Sequence, residues 1–137
     1  MNWYRNWYWT VFSKGRQFDG RSRRKEFWMF QLLNTLIILG FFVGGYTAFG
    51  TTEHTDGVEA ALFIPLALYI LATIIPSLAI TVRRLHDTGK SGWMILLCLI
   101  PKVGRIILLA FMVLDGDPGP NQYGPNPKLD YPSDDIS

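Results

Sequence analysis

Residues 27–46 are twenty consecutive positions without a charged side chain, and residues 60–82 are twenty-three more. As helices rising about 1.5 Å per residue, each is long enough to cross a bilayer core of about 30 Å. A third run, residues 93–114, is twenty-two residues long and is broken only by PKVGR at 101–105. Helices that pack in a water-soluble core are usually shorter and keep a polar stripe. The pattern therefore predicts an all-α membrane protein, a three-segment transmembrane helix bundle with spans of about 27–46, 60–82 and 93–114. Residues 1–26 precede it as an aromatic and basic segment, and residues 115–137 follow as a polar tail rich in proline and glycine. A cleaved signal peptide does not fit the first run, which exceeds the usual apolar length of about 7–15 residues and lacks a small-residue cleavage site.

Lysine and arginine set the orientation. Seven fall within residues 1–26, none within 47–59, three within 83–92 and one after Leu114. Basic loops stay on the cytoplasmic side, which places the N-terminus and the Arg83 loop in the cytoplasm and the loop around His54 outside. Three full crossings would leave the tail outside. A net charge of +2 is too small to argue for nucleic acid. The single cysteine, Cys98, excludes an internal disulfide and reads as a small apolar residue.

In the N-terminal segment Trp3, Tyr4, Trp7, Tyr8, Val11 and Phe12 recur at threes and fours. Such spacing, next to a basic cluster, predicts an amphipathic helix in the membrane interface. In the first span Gly40 and Gly44 form a GxxxG face suited to a second copy, a homo-oligomer contact, with Gln31, Asn34 and Thr35 on roughly the opposite side. The second span contains Pro76, which removes a helical hydrogen bond and predicts a kink. Thr73, Ser77, Thr81 and Arg84 lie along one of its sides.

The third segment poses an energetic problem. Lys102 and Arg105 in a straight crossing would sit near mid-membrane, where each costs about 2.5–3.5 kcal/mol. A broken full crossing is the expectation, with both cations facing an enclosed wet cavity or snorkelling to the interface. A re-entrant hairpin turning at residues 101–104 is the alternative, and it would return the tail to the cytoplasm.

Between the second and third runs lies RRLHDTGKSGW, residues 83–93. Its GKS is not a phosphate loop, because the glycine that should stand five residues before Gly89 is Arg84. His86 and Asp87 do not make a metal pair, the other histidine, His54, being predicted across the membrane. They are also a poor catalytic pair, since neighbours on a helix point about 100° apart. The string instead reads as a tight helical turn, with Gly89 in the left-handed cap position and Ser91 capping the next helix. Arg83, Arg84, His86 and Lys90 then share headgroup depth with Arg21, Arg23, Arg24 and Lys25, and Asp87 and Glu26 are the acids available to tie the two segments together.

GRSRRKEFWMF at 20–30, PSLAITVRRLHDTGKSGW at 76–93, LIPKVG at 99–104 and GDPGPNQYGPNPK at 116–128 resemble the successive motifs of the domain of unknown function 805 family. The resemblance covers nearly the whole chain, with a departure at Lys102 and Arg105, where the family pattern is usually apolar. It implies a small multi-pass protein of the bacterial inner membrane, without an established activity or catalytic residues to carry over. No catalytic group, cofactor or metal is expected. The expected function is a non-enzymatic oligomer or adaptor whose basic rim, Arg21, Arg23, Arg24, Arg83, Arg84, His86, Asp87 and Lys90, binds anionic lipid headgroups or an acidic partner. The alternative is an anion-preferring channel or transporter lined by Lys102, Arg105, Thr73, Ser77 and Thr81.

Overall fold

The computed structural model describes Trp9 and residues 11–50 and 58–129. Every regular element among them is helical. Helix α1, Arg24–Phe49, and helix α2, Val58–Asp87, are the two long apolar elements, and both have the length and composition of a membrane crossing. Then come a 3-10 helix, Gly92–Leu99, and helix α3, Val103–Val113. Apolar side chains face outward along both long helices, as at Leu32, Leu36 and Leu39 of α1 and Leu68 and Leu71 of α2. Such a surface suits lipid and would be unstable in water.

The small core sits at the end of the bundle where α1 begins and α2 ends. Phe27, Phe30, Ile80, Leu85 and Met112 pack there with Val11. Phe12 meets Phe30 edge to face, with centroids 6.1 Å apart. Part of the predicted amphipathic helix thus packs on the bundle. Residues 11–13 are helical and Trp9 is 70% exposed, while residues 1–8, which carry most of the aromatic pattern, lie outside the described residues. Gly15 allows the close packing here: a Cβ on it would stand 3.0 Å from Pro76 Cγ. Helix α2 runs through Pro65 and Pro76. Gly40 and Gly44 of α1 face open space.

Helix α2 stops as its sequence requires. Gly89 adopts φ 69°, and the amide N–H groups of Thr88 and Lys90 both donate to the Leu85 carbonyl, at 3.1 and 2.9 Å. Such a left-handed cap satisfies carbonyls that the helix leaves open. Ser91 then accepts from the Trp93 amide at 3.4 Å.

The third segment differs from the expected crossing. It is a hairpin whose two ends lie at the same end of α2. It starts at Ser91, just after α2, and its far end returns to Arg84, whose guanidinium donates to the carbonyls of Met112 and Leu114. The eight residues of the 3-10 helix rise about 16 Å at ~2.0 Å each, and the eleven of α3 fall by about as much at ~1.5 Å each. The turn falls at Pro101–Lys102, and its tightness depends on Gly104, where a Cβ would lie 1.8 Å from the Leu97 carbonyl oxygen. Lys102 itself has φ 65°. With the hairpin, the tail comes back to the end of the bundle that holds residues 20–26, instead of leaving on the opposite side.

Candidate functional site

Polar residues from three parts of the chain converge at the end of the bundle where α1 begins and α2 ends. Arg21 stands in extended chain just before α1, and Arg84 and Asp87 occupy the last turn of α2. The Arg21 Nε–H donates to Asp87 Oδ1 at 2.9 Å, and the Arg84 Nη1 donates to Asp87 Oδ2. One carboxylate thus bridges two guanidiniums, and the side chains of all three are at most 4% exposed.

A buried charge is tolerated only when paired and hydrogen-bonded. The second cation is balanced by backbone oxygens. Arg84 Nη2 donates to the carbonyl of Leu114 and, at 3.4 Å, to that of Met112; these lie at the C-terminal end of α3, where the helix dipole is negative. Arg21 donates to the carbonyls of Asp117 at 2.6 Å and Gly119 at 2.7 Å. The backbone joins in, with the Ser22 amide donating to the Arg83 carbonyl at 3.1 Å and the Asp117 amide to the Asp87 carbonyl at 2.7 Å.

The tail is built around this knot. Gly116 passes so close to Asp87 that a Cβ would lie 2.0 Å from Oδ2. Asn121 Nδ2 donates to the His86 carbonyl and to Asp117 Oδ2, both at 2.9 Å. Tyr123 stacks on the His86 ring at 3.8 Å with the planes 3° apart. His86 Nδ1 lies 3.1 Å from the Gly20 carbonyl, which requires the proton on Nδ1. Asn121 and Asn126 each accept from the amide two residues on, at 2.9 Å, forming turns typical of asparagine. The polar tail rich in proline and glycine is therefore a folded cap through Leu129; residues 130–137 lie outside the described residues.

This placement splits the expected basic rim. Arg21, Arg83, Arg84, His86 and Asp87 belong to the interior, because charges sharing one end of a thin bundle satisfy each other and the returning tail more closely than water would. That is a correction to their reading as an exposed binding surface. Arg23 and Lys90 are half-buried, and Arg24 and Lys25 are exposed. Arg24 meets Asp115 at 3.2 Å, with Lys128 at 3.9 Å from the same carboxylate. Of the two acids expected to tie the segments together, Asp87 does so, and Glu26 accepts from Ser22 Oγ at 2.9 Å.

The expected channel lining is split as well. Thr73, Ser77 and Thr81 line a lateral cleft of about 660 Å³ between α1, α2 and the hairpin, opposite Gln31, Asn34 and Thr35. Lys102 and Arg105 are absent from its walls; both are exposed at or beside the hairpin tip. The hairpin turns before those cations could join a path through the bundle, which corrects their placement in a common pore. The sequence reading missed the tail as a partner of Arg21 and Arg84. The only available signal was the glycine and asparagine density of residues 116–126.

Residues 16–125 match the family described as protein of unknown function, DUF805. Over 125 residues the chain is 40% identical to the inner membrane protein YhaH of Escherichia coli K12, covering 91% of this chain and 98% of that protein. It is 39% identical to the inner membrane protein YhaI of the same organism, covering 90% and 96%. The uncharacterized protein YiiR, also of Escherichia coli K12, is 29% identical over 147 aligned positions, covering 88% and 92%. No solved structure matches the chain.

Proposed function

The chain belongs to the DUF805 family, and from that footing we propose that it is a non-enzymatic membrane scaffold whose cytoplasmic end holds anionic lipid headgroups. The observation that carries this reading is the division of labour among its cations. Arg21 and Arg84 are saturated by Asp87 and backbone oxygens, while Arg24 and Lys25 beside them face outward. A saturated knot has no open position for a substrate, and its histidine is stacked and hydrogen-bonded into the fold. Arg24 is held at the exposed surface, by the Val113 carbonyl at 3.1 Å and by an ion pair with Asp115, with side-chain exposures of 48% for Arg24 and 71% for Asp115. Such pairs contribute at most about 1 kcal/mol and exchange readily for another anion. Each outward cation near an anionic leaflet contributes about 1 kcal/mol, so the rim acts collectively.

Native mass spectrometry of protein released from membranes containing phosphatidylglycerol tests the reading. The double variant Arg24→Gln, Lys25→Gln is expected to lose most of the retained anionic lipid while keeping its thermal stability. Unchanged retention would remove the proposal. A pore through Lys102 and Arg105 has no comparable support, given where those two side chains lie.

A further inference from the structure

The lateral cleft has a hydrogen-bonding character that its role in packing does not use. It opens between helices whose outer surfaces are apolar, its volume is about 660 Å³ and no charged residue lines it. Ligand sites of about 300–1,000 Å³ with mostly apolar walls and a few placed polar groups are typical for small amphiphiles.

The polar groups can be sorted by what they still offer. The hydroxyls of Thr35, Thr73 and Thr81 donate within their own helices, to Gln31 at 2.8 Å, to Tyr69 at 3.0 Å and to Ser77 at 2.6 Å. Their oxygens keep lone pairs as acceptors. Asn34 Oδ1 accepts from the Tyr69 hydroxyl, which leaves its NH₂ as a donor. Gln31 contributes a further amide from the same side of α1. The cleft thus presents hydroxyl acceptors on both helices and amide donors on α1, without a charge.

We infer that this cleft binds an uncharged glycerolipid bearing a free hydroxyl, of the diacylglycerol class. A bare acyl chain would leave the side-chain amides of Gln31 and Asn34 facing hydrocarbon with N–H groups unmet, which is costly where water is absent. A phosphate headgroup would bring an anion against walls that offer no cation. A diacylglycerol head satisfies both sides: its ester carbonyls accept from the amides of Gln31 and Asn34, and its hydroxyl donates to the oxygen of Thr35, one turn from Gln31. Its chains continue along Ile38, Ile70 and Leu109, which share the lining. This site is independent of the basic rim, since it selects neutral lipid where the rim selects anionic lipid.

The test is photolabelling of the full chain in phosphatidylcholine nanodiscs with two probes that carry the same diazirine acyl chain, one a diacylglycerol and one a phosphatidylglycerol. Diacylglycerol adducts are expected to concentrate within residues 27–38 and 70–81 and to exceed phosphatidylglycerol adducts there several-fold. Gln31→Leu and Thr35→Val, the latter conserving shape at an exposed position, should each cut diacylglycerol labelling about fivefold, the effect of one lost neutral hydrogen bond. Equal labelling of the cleft by both probes overturns the inference. So does labelling that survives Thr35→Val in a protein of unchanged melting temperature, whatever Gln31→Leu does to folding.

Discussion

Arg21 and Asp87 are 66 positions apart in the chain, yet the Arg21 Nε–H donates to Asp87 Oδ1 at 2.9 Å, with Arg84 on the other carboxylate oxygen. The bridge fastens the segment before α1 to the end of α2, and through the carbonyls of Asp117 and Gly119 it also fastens the tail. Breaking a buried pair by removing one partner costs about 3–5 kcal/mol, because the other charge is left alone. Asp87→Asn is therefore expected to lower the melting temperature in detergent sharply. Asp115→Asn, at the exposed pair with Arg24, should shift it little. Similar melting temperatures for the two variants would mean that the buried bridge does not hold the fold.

Gly104 and Gly116 are expected to tolerate no side chain, for steric reasons that Gly119 and Gly40 escape. A Cβ at Gly104 or Gly116 would stand 1.8 Å from the Leu97 oxygen or 2.0 Å from Asp87 Oδ2. Gly119 and Gly40 have nothing within 4 Å of that position. Alanine at 104 or 116 should destabilise by about 1–3 kcal/mol or more, whereas alanine at 119 should change little and alanine at 40, inside a helix, should stabilise by about 0.5–1 kcal/mol. Fluorescence-detected size-exclusion after a heat step ranks the four.

The hairpin predicts that Lys25, before the first crossing, and Lys128, in the tail, share a side of the membrane. In a Cys98→Ser background, cysteine at Lys128 and cysteine at Lys25 should react with an impermeant maleimide in vesicles of the same sidedness. A crossing third segment would make them react in vesicles of opposite sidedness.

Lys102 is a non-glycine residue at φ 65°, and left-handed backbone costs an ordinary L-residue about 1–2 kcal/mol. Lys102→Gly and Lys102→Val both remove the charge, so their difference isolates the backbone. The glycine variant should melt higher than the valine variant by an amount equivalent to about 1–2 kcal/mol; equal melting would mean that the turn relaxes in the membrane.

The two long helices were legible in the sequence because the absence of charge over twenty or more positions has few other physical meanings. The turn after α2 was legible too, since Gly89 and Ser91 stand where a left-handed cap and a helix start need them. The convergence of Arg21 with Asp87 followed from counting cations on one side of the membrane. What the count did not reveal is which cations turn inward. Arg21 and Arg23 alternate along extended chain before α1, so the direction of each depends on partners elsewhere. Those partners are largely carbonyls of residues 112–119, and a backbone oxygen carries no residue-type signal. The hairpin was legible only as an alternative. A 3-10 helix of apolar residues looks like any greasy run, and the close approach of Gly104 to Leu97 is a three-dimensional fact that spacing does not encode.

The tail's place in the polar knot has a consequence for biosynthesis. Arg21 leaves the ribosome early, while the oxygens that receive its second and third N–H groups belong to Asp117 and Gly119, made almost a hundred residues later. A nascent chain that has made both long helices still lacks these acceptors, and the later-made residues 117–119 close the structure like a clasp. A premature stop before Gly116 would leave the guanidinium of Arg21 without its tail acceptors, and the underside of the bundle open.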